Sequence, residues 1–196
     1  MNHIDKVVYI NLDRRTDRRT HMEAHLAEYD IAAERIAAIE HENGLYGCGL
    51  SHLAVLKMAR DQGWNRVLIL EDDIQFEVSS SQVEDSIGRL FSEGPAFDVC
   101  MLDVNLQRFE ASQHDWLTRV LYAHCAGAYI VNQHYYTTLI DLYEWALPLL
   151  LETGMHWVYA NDAVWGSLQE KDRWYTFQTR LCKQMAGYSD TKNMVI

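Results

Sequence analysis

Two prolines, Pro95 and Pro148, are all that 196 residues contain, and neither lies in a Ser- or Gly-rich stretch, so nothing marks a linker or a boundary. The sequence predicts one domain over residues 1–196. Long apolar runs are missing as well: the longest, such as residues 146–151, fall far short of the ~18 residues of a membrane span. The first fifteen residues lack the apolar centre of a signal peptide. The four cysteines, Cys48, Cys100, Cys125 and Cys182, are scattered without a Cys-x-x-Cys pair, which excludes a zinc knuckle, a redox motif and a small disulfide scaffold. A reduced, cytoplasmic protein is the expectation. Positive charge is scarce, with 17 Lys plus Arg against 28 Asp plus Glu and a net charge of -11, so broad nucleic-acid binding is excluded. An anionic substrate would need a local offset, either clustered cations or a bound metal.

What is present is ordinary for a globular chain: 48% hydrophobic and 23% charged residues. Val7-Val8-Tyr9-Ile10 reads as a buried strand, and a helix is expected from about Thr16, with Met22, Leu26 and Tyr29 as its apolar stripe. Residues 50–61 read as a helix closed by Gly63, and residues 66–70 as the clearest buried strand. Ser81 and Glu84 have capping-box spacing for a helix that Gly94-Pro95 ends. Residues 97–102 read as a strand, 105–116 as a polar surface loop, 126–131 as a strand, and 135–152 as an amphipathic helix with Pro148 as a kink point. A short helix after Asn161-Asp162 and a strand over 174–177 complete the pattern. Alternating strands and helices predict an α/β fold with a mainly parallel sheet, whose ligands bind beyond the carboxyl ends of the strands. Asn11, Glu71-Asp72-Asp73 and Asp103 all follow strands and so share that edge.

Three features there carry chemistry. Glu71-Asp72-Asp73 is either a solvated acidic turn or a site for a hard divalent cation, Mg²⁺ or Mn²⁺, which takes oxygen ligands and can also take a diphosphate. Arg14, Arg15, Arg18 and Arg19 lie where the helix macrodipole disfavours cations, which fits an anion in front of the helix; the alternative is a solvated face paired with Asp13 and Asp17. Gly47-Cys48-Gly49-Leu50-Ser51-His52 places glycines before a helix, for close approach to a ligand or for tight packing.

In this order the motifs Tyr9-Ile10-Asn11-Leu12-Asp13-Arg14-Arg15-Thr16-Asp17-Arg18-Arg19, Gly47-Cys48-Gly49-Leu50-Ser51-His52 and Leu68-Ile69-Leu70-Glu71-Asp72-Asp73 resemble glycosyltransferase family 25. That family includes bacterial lipooligosaccharide β-galactosyltransferases and animal procollagen galactosyltransferases. Gly127-Ala128-Tyr129-Ile130-Val131, Asp162 and Gly187-Tyr188-Ser189-Asp190 extend the resemblance thinly into the second half. It implies a GT-A type, Rossmann-like fold, a UDP-sugar donor such as UDP-galactose or UDP-glucose, a Mn²⁺ or Mg²⁺ ion, a glycan or protein hydroxyl acceptor, and inversion at the anomeric carbon. On that basis Glu71, Asp73 and Asp190 are expected at the metal, with Asp72 a ligand or a brace. Asn11, Arg14 and Arg18 are expected at the nucleotide, Ser51 and His52 at the donor, and Asp162 as general base, a role its position as a helix cap does not exclude.

Tyr135, Tyr136, Trp145, Trp157, Tyr159, Trp165, Trp174 and Tyr175 crowd the second half; most are expected in the core, and exposed ones would suit an acceptor surface. Two rival readings remain at this level: a metal-dependent phosphohydrolase or nucleotidyltransferase, and a nucleotide-sugar-binding domain without turnover.

Overall fold

The computed structural model describes Met1, residues 3–186 and the backbone of two short strands near the C-terminus. In chain order the elements are β1 (Lys6–Asn11), α1 (Thr16–Glu28), β2 (Glu34–Ala37), α2 (Gly44–Asp61), β3 (Arg66–Glu71), β4 (Ile74–Phe76) and α3 (Ser80–Ser92). There follow β5 (Val99–Met101), β6 (Asn105–Ala111), β7 (Leu117–His124), β8 (Ala128–Asn132), α4 (Tyr136–Thr153), α5 (His156–Tyr159), α6 (Gly166–Gln169), β9 (Trp174–Phe177), β10 (Cys182–Gln184), β11 (Tyr188–Ser189) and β12 (Met194–Val195).

Eight strands form one mixed sheet in the order β2-β1-β3-β8-β5-β9-β7-β6. Neighbours β2, β1 and β3 run parallel, as do β5 and β9, while β8 runs antiparallel between β3 and β5. Apolar residues fill both faces of the central strands, so alternation assigns them to two cores. Val8, Ile10, Val67, Ile69, Tyr129 and Val131 pack beneath α2 and α4. Val7, Tyr9, Leu68, Leu70, Ala128 and Ile130 pack beneath α1 and α3. Among the described residues no helix is long and apolar enough to cross a membrane.

Three local expectations are corrected. The glycine motif lies inside α2, which starts at Gly44 with Asn43 Oδ1 accepting the Tyr46 N–H at 3.1 Å. A Cβ on Gly47 would sit 2.6 Å from Ile39 O, and one on Gly49 2.5 Å from Leu147 Cδ2, so both glycines serve close packing that offsets their helix cost of about 1 kcal/mol each. The capping box sits two residues earlier than expected, at Ser79 and Gln82, because a serine run offers the same spacing twice. Residues 105–116, expected as a loop, contain β6, an exposed edge strand hydrogen-bonded to β7; with neither face buried it carries no apolar alternation. Helix α4 continues through Pro148 to a left-handed cap at Gly154.

Candidate active site

The parallel registers bring the strand ends together as expected. Ile10 pairs with Glu71, so Asn11 lies beside the acidic triplet. The Glu71 N–H donates to Gly127 O at 2.7 Å and the Asp103 N–H to Ala128 O at 3.3 Å, which places Asp103 on the same edge.

Asp72 and Asp73 are buried and turn toward α1. Asn11 Nδ2 donates to Asp72 Oδ2 at 2.6 Å, and Arg18 reaches Asp72 Oδ1 at 2.8 Å and Asp73 Oδ2 at 2.9 Å. Asp73 Oδ1 is buried with no hydrogen-bond partner among the described residues. Burial first, then the Glu71 charge, pushes the Asp73 carboxyl up to about 7 despite Arg18. Burial also raises Asp72 against the opposing pull of Asn11 and Arg18. A buried carboxylate oxygen without a donor, beside other acids and a cavity of about 400 Å³ lined by Arg15, Asp17, Arg18, His21, Asp73, Met185 and Ala186, fits a divalent cation with oxygen ligands.

That fit yields a pH prediction. The folded-state value of Asp73 lies above the ordinary 3.8, so this group removes stability as pH rises from about 4 to about 7, where the unfolded chain releases its proton freely. A cation held by Asp73 would replace that proton. Mn²⁺ is therefore expected to raise the melting temperature more at about pH 8 than at about pH 5.5; an equal rise at both, measured by scanning fluorimetry, contradicts it.

Glu71 faces a different environment. Its Oε1 lies 3.2 Å from His52 Nε2 and 3.6 Å from Cys48 Sγ, and its Oε2 accepts from Gln184 Nε2 at 3.0 Å. Burial pushes its carboxyl up, but the His52 and Cys48 hydrogen bonds outweigh this and hold it below the ordinary value. The carboxylate expected beside Asp73 at one metal is thus directed inward in this arrangement.

The remaining expected residues sort by burial. Arg14 pairs with Glu40, Arg15 with Asp17 and Arg19 with Glu23, all exposed carboxylates, and among the described residues Arg18 is the arginine of the cluster that contacts Asp72 and Asp73, with Arg15 beside it lining the cavity. Ser51 and His52 are fully buried, two turns inside α2 rather than at its start. Ser51 Oγ donates to Gly47 O at 2.7 Å and accepts from Ile39 N at 2.8 Å, tying α2 to the loop after β2. His52 Nδ1 lies 2.8 Å from Tyr129 Oη. Neither side chain is among those lining the cavity beside Asp73. Asp190 lies outside the described residues.

Asp162 is a third exposed and makes no helix-cap hydrogen bond; its Oδ2 accepts from Cys125 N at 2.8 Å. Cys125 has φ 87°, a left-handed conformation that costs a non-glycine residue about 1–3 kcal/mol. The conformation aims its N–H at Asp162 and its thiol at Asp103 Oδ2, 2.8 Å away, while Arg180 donates to the other oxygen, Asp103 Oδ1, at 3.1 Å. Asp162 is thereby tied to the same sheet edge as the acidic triplet. Of the aromatic residues, Tyr135, Tyr136, Trp165 and Trp174 are buried, whereas Trp145 and Trp157 are exposed.

Arg35 was not legible as a site residue: its Nε donates to Asn11 Oδ1 at 2.9 Å from β2, a strand too short and exposed to leave a pattern. Gln184 and Cys125 likewise depend on contacts remote in sequence.

No protein-family profile matches the chain. It is 31% identical to procollagen galactosyltransferase 1 of Danio rerio over 38% of this chain and 17% of that protein. It is 35% identical to the putative glycosyltransferase R655 of Acanthamoeba polyphaga mimivirus over 37% of this chain and 29% of that protein. The glycosyltransferase 25 family member of Drosophila melanogaster is 31% identical over 38% of this chain and 17% of that protein. The chain thus covers less than a third of the length of these relatives. In structure it is similar to a glycosyltransferase involved in glycosylation of the major capsid of PBCV-1, with a TM-score of 0.55, 12% identity, and 96% of this chain and 95% of that one covered. It is also similar to A197 from STIV, with a TM-score of 0.52, 12% identity, and 97% and 93% coverage. The sequence is similar to family 25 and the fold is of GT-A type.

Proposed function

We propose, from a GT-A fold with family 25 sequence similarity, that this protein is an inverting glycosyltransferase that moves a hexose, galactose or glucose, from a UDP-sugar to a hydroxyl on a glycan or protein. The observation that carries the reading is Asp73: a buried carboxylate with an oxygen that has no partner among the described residues, just beyond the carboxyl end of a strand parallel to β1 and beside a cavity against the first turn of α1. Asp73 would hold the divalent cation together with Asp190, while Glu71, held by His52, Cys48 and Gln184, stands behind that site. The cation supplies charge neutralisation for the diphosphate leaving group.

The chain's own residues account for the rest. Asn11 and Arg18 hold Asp72 and Asp73 in place and balance part of their charge. Arg14, on the loop before α1 and paired with Glu40, would reach the nucleotide from that loop. Ser51 fixes the loop after β2, and His52 fixes Glu71. Asp162 takes the proton of the attacking hydroxyl at its carboxylate, which Cys125 orients through a backbone N–H. Since the hydroxyl attacks as the nucleoside diphosphate leaves from the opposite face, one displacement gives inversion.

A donor screen tests this. With Mn²⁺ and a UDP-sugar at about a hundred times its Kd, ligand binding adds about 2.7 kcal/mol of apparent stability, a rise of roughly 5–10 °C for a chain of this size. UDP-galactose or UDP-glucose is expected to give that shift and to release UDP when acceptor is added. Release of phosphate or pyrophosphate instead would mark a phosphohydrolase or nucleotidyltransferase. A shift with no turnover on a broad acceptor panel would mark a binding domain, and no shift with any nucleotide sugar would overturn the proposal.

A further inference from the structure

Cys48 and His52 are four residues apart on α2, so their side chains leave one face of the helix, and that face meets Glu71 at the end of β3. His52 Nε2 is 3.2 Å and Cys48 Sγ 3.6 Å from the same carboxylate oxygen, and the three donor atoms lie within 4.8 Å of one another. Ligands at about 2.0–2.3 Å from a tetrahedral Zn²⁺ stand roughly 3.3–3.7 Å apart, so the 3.6 Å edge lies in that range and the 3.2 Å edge falls just short of it.

Each donor side chain also has an outer partner, at the opposite ring nitrogen of His52, the second oxygen of Glu71 and the sulfur of Cys48 itself. His52 Nδ1 meets Tyr129 Oη at 2.8 Å, Asn161 Nδ2 donates to Cys48 Sγ at 3.6 Å, and Gln184 Nε2 donates to Glu71 Oε2 at 3.0 Å. Outer partners of this kind fix the rotamer and tautomer of metal ligands. The group draws on α2 and β3, with outer partners from β8, the segment after α5, and β10, so its position depends on the packed fold.

We propose that Cys48, His52 and Glu71 form an inner site for a borderline divalent cation of the Zn²⁺ class, distinct from the oxygen-ligand site at Asp73. One sulfur, one imidazole nitrogen and one carboxylate oxygen select Zn²⁺ or Co²⁺ over Mg²⁺. On binding, the Cys48 thiol gives its proton to solvent and its sulfur bonds the metal. The cation clamps α2 to β3 and sets the direction of the Glu71 carboxylate. The inference does not rest on the transferase reading.

The test uses the full chain, stripped with chelator and titrated with Co²⁺. One equivalent is expected to give an intense near-ultraviolet thiolate-to-Co²⁺ band, bleached by Zn²⁺, absent in Cys48→Ser and in His52→Asn, and kept in Asp73→Asn. Circular dichroism of each variant establishes that it is folded, and Cys125→Ser, which leaves the site intact, is expected to keep the band. Co²⁺ binding without a thiolate band in the parent chain, or a band that survives Cys48→Ser, overturns the inner site. A chain that shows the band but no response to any UDP-sugar keeps this site and loses the proposed function.

Discussion

Replacing Asp73 with Asn is expected to lower metal-dependent transfer by at least about 100-fold while making the metal-free protein no less stable. The first half follows from electrostatics: loss of one charged contact to a departing anion in a water-poor site typically costs about 10²–10³ in rate. The second half follows from burial. Asp73 carries its charge at a cost, shown by a carboxyl pushed up to about 7, and an amide of the same shape removes that cost. Arg18 keeps Asp72 as a partner in the variant. At about pH 8 without metal the variant should therefore melt at or above the parent, and added Mn²⁺ should no longer raise its melting temperature. Full Mn²⁺-dependent transfer by a folded Asp73→Asn protein would remove Asp73 from the metal site.

Asp162→Asn separates a base from a structural residue. The amide oxygen can still accept the Cys125 N–H, so the strained segment between β7 and β8 keeps its anchor. What the amide cannot do is take a proton. A kcat loss of about 10²–10⁴ is expected, with donor affinity and the UDP-induced thermal shift unchanged. The pH dependence of kcat should also lose its acidic limb. Unimpaired turnover with normal donor affinity would exclude Asp162 as the base, and a parallel loss of stability and donor affinity would make it structural.

Several parts of this arrangement are legible in the primary structure for clear physical reasons. Val67, Leu68, Ile69 and Leu70 are buried on both faces of a central strand, so an unbroken apolar run marks both the strand and the position of the acids after it. The helix over α1 and the left-handed caps at Gly63 and Gly154 are likewise encoded locally. The strand β6 is not, since an edge strand exposed on both faces carries no alternation, and its pairing with β7 supplies what its composition does not. The glycines of α2 misled in the opposite way: their local propensity argues against a helix, and close packing on Ile39 and Leu147 overrides it.

By itself the sequence determined the α/β order of elements, the shared edge for Asn11, Glu71-Asp72-Asp73 and Asp103, and the similarity to family 25, because strand burial and chain order are written in local pattern. Only the tertiary structure decided which way each charge points. Four arginines within six residues look alike in sequence, yet among the described contacts it is Arg18 that reaches Asp72 and Asp73, and three adjacent acids divide between a site at Asp73 and an inner cluster at Glu71. Those choices depend on Cys48, His52, Tyr129, Cys125 and Gln184, whose side chains meet only after distant segments fold together. The net charge of -11 therefore places no limit on binding an anionic donor: the sign that matters is set by the few buried groups at one sheet edge, and burial, unlike composition, is a property of the fold.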